Sequence, residues 1–248
     1  MPNIHLIDGE KGGIGKSMFA RTLAEFFQSE GMSFALIDTD RTNPDVGRVY
    51  APKTMEQEQT FFSEREDNDA KADIIFETAM EQMVLVNLPA QIFPVVTDWL
   101  ERNELLTLSQ ECGVQIYKWF ICTGEEDSID LFLESLKHFE NRLPHVLVRN
   151  FGASGAKWET GDFERLERIV HKYRVPVIDL PKLPPLERDY LKKNQCTFAM
   201  ASSKLKMMSK QRIAIYLKKA YKAISSTELI QKERVNVERS RNVEVQSA

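Results

Sequence analysis

Short apolar runs alternate along the chain with longer segments in which apolar residues recur every three or four positions. The predicted strands span residues 3–8, 33–37, 83–87, 114–122, 145–150 and 175–180. The first long segment predicts a helix from Ser17 to about Gly31, with Phe19, Leu23 and Phe26 on its buried side. Because strands that alternate with helices form right-handed crossovers, we predict an α/β fold with a doubly wound, mostly parallel sheet and helices on both faces.

Helical spacing continues in the rest of the chain. The further predicted helices span about 94–112, 128–139, 162–173, 185–194 and 203–223. Their core candidates include Leu100, Leu105, Leu106 and Leu108 in the first and Leu205, Met208, Ile213, Leu217 and Ala220 in the last. Residues 224–248 lack an apolar period and are predicted to form a flexible C-terminal tail, which leaves residues 1–223 as a single domain.

A glycine-rich turn, Gly9-Glu10-Lys11-Gly12-Gly13-Ile14-Gly15-Lys16-Ser17, connects the first strand to the first helix. Glycines let backbone N–H groups approach an anion, and a helix N-terminus adds unpaired donors with a partial positive charge. Lys16 can reach the outer phosphates of a nucleotide, and the Ser17 hydroxyl can ligate a Mg2+ that bridges them. The turn therefore predicts a phosphate-binding site, with a chance glycine-rich turn as the alternative.

Two carboxylates follow the second predicted strand. Asp38 and Asp40 are two residues apart on an extended chain, so their side chains point to the same side. Ligands of parallel sheets bind at the carboxyl ends of the strands, where the glycine-rich turn also lies. We expect one carboxylate to hold a Mg2+-bound water and the other to orient a water that attacks the terminal phosphate. Capping of the strand end is the alternative interpretation.

The composition allows one sizeable core. The chain has 248 residues, 42% of them hydrophobic and 28% charged, and a single α/β domain of this size is ordinary. Its three cysteines, Cys112, Cys122 and Cys196, have no metal-binding spacing, and so sparse a set fits a reducing cytosol. No apolar run approaches the roughly 18 residues of a membrane span, and the chain enters its first strand directly. We therefore expect neither a membrane anchor nor a signal peptide.

The net charge of −4 is unevenly distributed. Residues 56–82 carry nine acidic side chains against Arg65 and Lys71, which predicts either a solvated loop with a surface helix or a partner-docking surface. Residues 190–222 carry nine Lys or Arg and no acidic side chain. Such a basic face neutralises phosphates and predicts non-specific, salt-dependent DNA binding. A solvated helix face, an acidic protein partner and a membrane surface are the alternatives.

The segment from Lys11 to Ser17 completes the pattern K-G-G-x-G-K-[ST], although Glu10 stands where a standard Walker A motif has glycine. In this motif the chain resembles the ParA/MinD class of deviant Walker A P-loop ATPases. The resemblance implies a homodimeric switch with ATP and Mg2+ as cofactors, in which Lys11 reaches across the interface to the ATP of the partner. It implies catalytic roles for Lys11, Lys16, Asp38 and Asp40, phosphate binding by Gly12, Gly13, Ile14, Gly15, Lys16 and Ser17, and metal binding by Ser17 and Asp38.

Other segments match that family in part. Ile37-Asp38-Thr39-Asp40 matches the IDxD segment that acts as switch I, but Arg41-Thr42-Asn43 stands where relatives commonly have Pro-Gln-Gly. The strand that should end in an acidic Walker B residue ends in Asn87, which can hydrogen-bond a Mg2+-bound water but carries no charge. We therefore expect slow ATP hydrolysis, with a complete loss of hydrolysis as the alternative.

The resemblance also implies a base-binding site. It implies that Asn150 binds adenine and that the loop from Pro181 to Pro185 packs on the base. An amide suits the adenine edge because it offers both a donor and an acceptor. A plain turn-forming asparagine is the alternative for Asn150.

The basic stretch favours one branch of this class. ParA-like members bind DNA through basic C-terminal residues, and the residues expected to do so here are Lys192, Lys193, Lys206, Lys210, Arg212 and Lys218. MinD-like members end in an amphipathic membrane helix, and the C-terminal tail of this chain lacks the large apolar face that such a helix needs. We therefore predict a cytoplasmic, nucleoid-associated, ParA-like ATPase that dimerises on ATP and positions a plasmid or a carboxysome-like organelle. A cargo-bound adaptor protein would stimulate its hydrolysis.

Two other classes of protein stay open. An accessory module of conjugative transfer with little hydrolysis is favoured by Asn87. An ATP-dependent metabolic enzyme on the same fold, similar to dethiobiotin synthetase or cobyrinate amidase, would need a second small-molecule site and would usually lack a lysine equivalent to Lys11. Substitution of Lys11 separates this last class from a dimeric switch.

Overall fold

The computed structural model describes residues 2–50, 60–63, 70–153, 156–158 and 163–230. Six strands form one sheet in the order β2-β3-β1-β4-β5-β6. The strands are β1 (Asn3–Asp8), β2 (Phe34–Asp38), β3 (Met83–Asn87), β4 (Gln115–Cys122), β5 (His145–Asn150) and β6 (Val177–Leu180). All five pairings between these strands are parallel, so the predicted doubly wound α/β sheet is confirmed.

Helices connect the described strands and cover both faces of the sheet. In chain order they are α1 (Lys16–Ser29), α2 (Gly47–Tyr50), α3 (Asp73–Ala79), α4 (Phe93–Arg102), α5 (Leu105–Glu111), α6 (Glu126–Phe139), α7 (Glu164–Tyr173), α8 (Pro185–Asn194), α9 (Phe198–Lys204) and α10 (Met207–Ser225). The helices α1, α8, α9 and α10 share a core with one face of the sheet. The helices from α3 to α7 pack on the other face.

Side chains on successive strand residues alternate between these two cores. Trp119 packs in the core of α1, whereas its neighbour Phe120 packs in the core that contains α6 and α7. The predicted buried side of α1 is confirmed, since Phe19 and Leu23 are fully buried and Phe26 is 4% exposed. The glycine-rich turn between β1 and α1 is therefore held by two elements that lie deep in the core.

A chain of buried polar groups runs beneath this turn. The ammonium of Lys118 lies 2.7 Å from the Asp8 carboxylate, and both side chains are fully buried. Lys118 Nζ also donates to Ser135 Oγ at 2.9 Å, and the Ser135 hydroxyl hydrogen-bonds His145 Nε2 at 2.9 Å. His145 Nδ1 faces the carbonyl oxygen of Leu143 at 2.7 Å, so Nδ1 carries the proton and Nε2 accepts. Burial, assisted by Lys118, lowers the pKa of His145 to about 3, which keeps the ring neutral.

The predicted helix at 94–112 is wrong in one respect, because it is two helices. Glu104 adopts a left-handed conformation with φ of 47°, which ends the path of α4 and starts α5 in a new direction. The break lets Trp99 on α4 and Leu105 on α5 both be buried, at 2% and 5% exposure. Leu108, a predicted core residue, is 37% exposed as a result.

The predicted C-terminal helix also differs from the structure. It is preceded by a separate helix, α9, whose first turn is capped by the Thr197 side chain. Ile213 and Ala220 are buried as predicted, but Met208 is 65% exposed, so its prediction as a core residue is wrong. Tyr216 is buried instead, since its hydroxyl group hydrogen-bonds Thr22 on α1 at 2.8 Å.

The end of the described chain stays close to the domain. Ile224 is fully buried in α10, and Leu229 and Ile230 pack against the core of α1. The division into a domain of residues 1–223 and a flexible tail of residues 224–248 stays a prediction, because residues 231–248 lie outside the described part of the chain.

The acidic stretch predicted at 56–82 is described only at residues 60–63 and 70–82. Its helix, α3, is more than a surface helix, because Ile75 and Ala79 are fully buried against the sheet. None of the helices in the described ranges is long and apolar enough to cross a membrane.

Candidate nucleotide-binding site

The glycine-rich turn follows β1 at the point where the chain changes direction in the sheet. Connections from β1 and from β4, its neighbour, leave toward opposite edges, which is where ligands bind in doubly wound sheets. Gly15 has a left-handed φ of 102°, a conformation that favours glycine, and a side chain there would collide with the Asn150 amide. The turn thus has the shape and the place of a phosphate-binding loop.

Lys16 folds back over this turn. Its Nζ donates to the carbonyl oxygen of Gly9 at 2.6 Å and to that of Lys11 at 3.3 Å. Burial lowers the pKa of Lys16, whereas the nearby negative charges of Asp8 and Glu10 oppose that shift. A partly desolvated ammonium in this position is suited to an anionic ligand such as a phosphate.

Asp38 connects β2, β3 and the loop that follows β2. Its Oδ2 accepts hydrogen bonds from the backbone N–H groups of Val46 at 3.0 Å and Gly47 at 2.9 Å. Its Oδ1 accepts from Asn87 Nδ2 at 2.9 Å, so the two predicted strand-end residues are in direct contact. A Cβ at Gly47 would lie only 2.9 Å from the Asp38 Cβ, which explains the glycine. Burial raises the pKa of Asp38, and these hydrogen bonds partly oppose the shift.

A cavity of about 490 Å3 opens at the carboxyl ends of the strands. Of the predicted site residues, it is lined by Gly12, Gly13, Gly15, Lys16, Ser17, Asp40, Asn87, Asn150 and Pro181. Asp38, Lys11 and Ile14 do not line it. Another cavity of about 580 Å3, between α7, α10 and the strands β5 and β6, contains none of the glycine-rich turn.

The cavity of about 490 Å3 contains residues that fit a Mg2+ ion bound together with a nucleotide. Asn87 is 2% exposed and lines the cavity, yet its Oδ1 has no hydrogen-bond partner. Ser17 and Asp40 line the same cavity and offer a hydroxyl and a carboxylate oxygen. Within the described ranges, no group of three or more His, Cys, Asp or Glu side chains could hold a metal ion. Of the two predicted metal ligands, Ser17 lines this cavity and Asp38 does not. A magnesium ion here would therefore depend on Ser17, on Asn87 or Asp40, and on phosphate oxygens.

Lys11 points away from the cavity toward its own chain. Its Nζ lies 2.8 Å from Glu125 Oε2 and 2.8 Å from Asp127 Oδ2, at the start of α6. Asp127, and next Glu125, raise the pKa of Lys11, which is therefore protonated at neutral pH. Any role for Lys11 at the nucleotide of a partner requires that it exchange these two carboxylates for phosphate.

Asn150 braces the glycine-rich turn from the end of β5. Its Nδ2 donates to the carbonyl oxygen of Ile14 at 2.6 Å, and its Oδ1 accepts from the Gly152 N–H at 2.9 Å. Each end of the amide keeps one further hydrogen-bonding position, so the predicted contact with adenine stays open. Pro181, predicted to pack on the base, lines the same cavity.

Several residues of the site were not predicted from the sequence. Arg21, Arg188 and Asp189 line the cavity, and so does Lys192, which was assigned to DNA binding. Glu10 lies at the N-terminus of α4, where burial raises its pKa and the Ile92 and Phe93 amides oppose that shift. For Glu10, the sequence did offer one signal, because a charged residue stands where the standard Walker A motif has glycine.

The other predicted DNA-binding residues lie on α8 and α10, with Lys206 directly before the first residue of α10. Lys193, Lys206 and Lys218 are exposed, and Lys210 is half-buried. Arg212 donates from Nε to the buried Glu187 carboxylate at 2.9 Å, so part of its charge is already compensated. The helix α10 also exposes the apolar side chains of Met208 and Ile215.

Comparisons with known proteins agree with this architecture. No protein-family model matches the chain. Among curated proteins, it is 27% identical over 229 residues to the protein TraL of Escherichia coli, covering 87% of this chain and 94% of TraL. It is 21% identical over 224 residues to the protein MobD of Acidithiobacillus ferrooxidans, covering 90% of this chain and 96% of MobD.

Solved structures define the fold. A plasmid partition protein of Borrelia burgdorferi bound to AMPPNP aligns with a TM-score of 0.54 and 15% identity, covering 92% of this chain and 100% of that protein. The MinC:MinD complex of Aquifex aeolicus gives 0.53 and 14% identity, with 93% and 98% covered. The Cyanothece McdA(D38A)–ATP complex gives 0.53 and 9% identity, with 94% and 98% covered. The chain thus has the fold of ParA/MinD-type P-loop ATPases, and the resemblance predicted from its motif is confirmed.

Proposed function

We propose that this protein is an ATP-binding switch that acts as a Mg2+-dependent dimer. The observation that carries the proposal is the glycine-rich turn, in which Gly15 and Lys16 line a cavity at the carboxyl ends of the strands. The nucleotides named with the plasmid partition protein and with McdA support ATP as the ligand. Asn150 and Pro181 line the same cavity, which supports the proposal that they contact the base.

Hydrolysis is expected to be slow. Asn87 donates its Nδ2 to Asp38, so its remaining oxygen offers a dipole rather than a charge to a metal-bound water. Asp40 accepts three hydrogen bonds at Oδ1, from Thr42 N, Thr42 Oγ1 and Asn43 N, and keeps its other oxygen for a water. A slow ATPase suits a switch in which the lifetime of the ATP state matters more than turnover.

Dimer formation depends on Lys11 in this proposal. Lys11 is held by Glu125 and Asp127, and the phosphates of a partner's ATP would have to compete with both carboxylates. This competition would make the dimer depend on ATP rather than ADP. The negative charge of the terminal phosphate would attract Lys11 more strongly than its two solvent-accessible carboxylate partners do.

The ATP dimer is proposed to bind DNA without sequence preference through the exposed lysines of α8 and α10. Their phosphate contacts would release counterions and make binding salt-dependent. A partner protein on the cargo would stimulate hydrolysis and release the dimer.

One set of measurements tests the proposal. ATP and ADP binding, ATP turnover, molar mass in solution and DNA retention are compared for the wild-type protein, Lys16→Ala and Lys11→Ala. We expect Lys16→Ala to lose nucleotide binding, and Lys11→Ala to bind ATP as a monomer without ATP-dependent DNA retention. Equal DNA retention with ATP and with ADP would contradict the switch, and an unaffected Lys11→Ala variant would favour a metabolic enzyme.

A conjugation-accessory role is the second candidate. The specific observation in its favour is the likeness to TraL and MobD over nearly their whole lengths. The sequence identity to these two proteins is higher than that to the plasmid partition protein of similar fold. The lack of an acidic residue at Asn87 agrees with a module that binds a nucleotide and barely hydrolyses it. ATP turnover is measured with and without a relaxase–DNA complex. Binding of ATP with no stimulated turnover, and recovery of the relaxase complex with the ATP-bound protein, would favour this role over cargo positioning.

A further inference from the structure

Arg21 is a buried arginine in the wall of the nucleotide cavity. It follows Ser17 by four residues on α1, which places the two side chains on the same side of the helix. The residue is 3% exposed and lines the cavity. Its Nη1 atom is buried without a hydrogen-bond partner. An unpaired N–H on a buried cation is unfavourable, so the group is suited to a ligand that this cavity receives.

The same guanidinium also holds the loop after β2. Arg21 Nη2 donates to the carbonyl oxygen of Asp45 at 2.7 Å and lies 3.7 Å from the Asp45 carboxylate. Asp45 closes the loop that begins at Asp40, and both of these residues line the cavity. Arg21 therefore connects α1 to Asp45, at the far end of this loop.

We propose that Arg21 binds the phosphate chain of the nucleotide through Nη1 while Nη2 keeps the loop from Asp40 to Asp45 in place. A guanidinium presents several N–H donors in one plane and can serve two acceptors at once, which a lysine cannot do in the same geometry. One helical turn separates Arg21 from Ser17, a distance of about 5–6 Å that an arginine side chain spans. The proposal rests on the proposed nucleotide binding and adds a residue that the glycine-rich motif does not contain.

The consequence is that nucleotide binding and loop order are coupled through one side chain. When a phosphate accepts from Nη1, the guanidinium is fixed at both ends, and the Asp45 carbonyl gains a more rigid donor. The amides of Thr42, Asn43, Asp45 and Val46 should then exchange hydrogen more slowly with nucleotide than without it, whereas Pro44 has no N–H to exchange.

The test compares three single variants: Arg21→Gln, Arg21→Lys and the control Glu25→Gln. Glu25 follows Arg21 by one turn, is 8% exposed, and accepts hydrogen bonds from Tyr50 Oη and Ala199 N without lining the cavity. Urea unfolding first establishes that each variant is folded. Binding of ADP, AMP and adenosine is then measured by calorimetry, and hydrogen exchange of residues 42–46 is followed with and without ADP.

We expect Arg21→Gln to weaken binding of ADP and AMP by roughly 10- to 100-fold, the usual effect of losing a hydrogen bond to a charged group, with adenosine little changed. Arg21→Lys should recover part of the ADP affinity through its charge but should not restore the slow exchange of the loop. Glu25→Gln should lower stability and leave ADP affinity within about twofold of wild type.

Four results would overturn the inference. Arg21→Gln could bind ADP within twofold of the wild-type protein, or lose adenosine as strongly as ADP, which would assign the contact to the ribose or the base. Glu25→Gln could weaken ADP as much as Arg21→Gln, which would reduce Arg21 to a structural role. A wild-type protein that binds no nucleotide would overturn the proposed function and this inference together, whereas the other results leave the proposed function standing.

Discussion

Removal of the buried Lys118 charge should destabilise the protein strongly. Its ammonium forms an ion pair with Asp8 at 2.7 Å, donates to Ser135, and is surrounded by the rings of Phe93, Phe120 and Phe139 at 5.0, 5.8 and 5.4 Å. In Lys118→Met, a side chain of similar volume fills the space, but the Asp8 carboxylate is left buried without its counter-charge. Breaking a buried pair in this way costs about 3–5 kcal/mol of the free energy of unfolding.

A double variant separates the charge from the packing. In Asp8→Asn with Lys118→Met, no unpaired charge stays behind, and the asparagine carbonyl can still accept the hydrogen bond that Asp8 receives from the Gly9 N–H. We expect the double variant to recover at least half of the lost stability, since neutral replacement of a buried pair is often close to neutral in free energy.

Equilibrium unfolding in urea at pH 7, followed by tryptophan fluorescence and circular dichroism, gives the free energy for each variant. Ser135→Ala serves as the control, because it removes the hydrogen bonds of the Ser135 hydroxyl to Lys118 and His145 but keeps the ion pair, and it should cost about 1–3 kcal/mol. A Lys118→Met variant whose free energy of unfolding lies within about 1 kcal/mol of wild type, or a double variant less stable than Lys118→Met alone, would contradict this role of the buried pair.

Three further predictions follow from the structure. Burial lowers the pKa of both His5 and His145 from 6.5 to about 3, so the unfolded chain binds more protons below pH 6.5 and stability must fall as the pH falls from 6.5 toward 3. At pH 5 each histidine should cost roughly 2 kcal/mol relative to pH 7, and urea titrations of His5→Gln should show about half of the histidine-dependent loss. Asn87→Asp exchanges the hydrogen bond to Asp38 for a negative charge that would favour Mg2+, so it should lower the Mg2+ concentration needed for half-maximal turnover and raise ATP hydrolysis about tenfold or more. Asn87→Ala, with unchanged or lower turnover, is the comparison. Replacing Lys206, Lys210 and Lys218 together by Ala should lower the log–log slope of DNA binding against salt by about 2 to 3 without changing ATP affinity. Lys192→Ala should weaken ATP binding, because Lys192 lines the cavity. If both sets of variants changed only DNA binding, this distinction would be wrong.

Much of the architecture was predictable because it follows from the local spacing of apolar residues. Apolar runs such as Val84-Leu85-Val86 identify buried parallel strands, and their alternation with helical spacing leaves few possible topologies. The glycine-rich turn was predictable for the same reason, since its backbone demands and its lysine stand next to each other in the sequence.

Breaks in a helix were harder to predict from the sequence. The pattern from 94 to 112 is compatible with one long helix, and Glu104 gives no local warning that it adopts a left-handed conformation. Met208 and Tyr216 show a related problem. A methionine is the better core residue by composition, but the Tyr216 hydroxyl forms a buried hydrogen bond with the Thr22 hydroxyl, which only the folded chain supplies.

Long-range contacts explain what the sequence missed in the site. Arg21 belongs to an apolar helix and follows no motif, and its partner Asp45 is 24 residues away. Lys192 was predicted to bind DNA because charge counts carry no direction; the structure shows that this exposed side chain also lines the cavity, and its role in DNA binding stays a prediction. The pairing of Lys11 with Glu125 and Asp127 spans more than 110 residues and could not be read from spacing.

The edge of the sheet at β6 bears on behaviour at high concentration. In the described part of the chain this strand has four residues and lies between Pro176 and Pro181, which lack a backbone N–H to donate to a new strand. Asp179 on the strand is 2.6 Å from Arg149 Nε, so the edge also carries fixed charge. Short, charged and proline-bounded edges resist pairing with the sheet of another molecule. The protein is therefore protected at β6 against strand-to-strand aggregation, and replacement of Pro176 and Asp179 by valine would remove that protection.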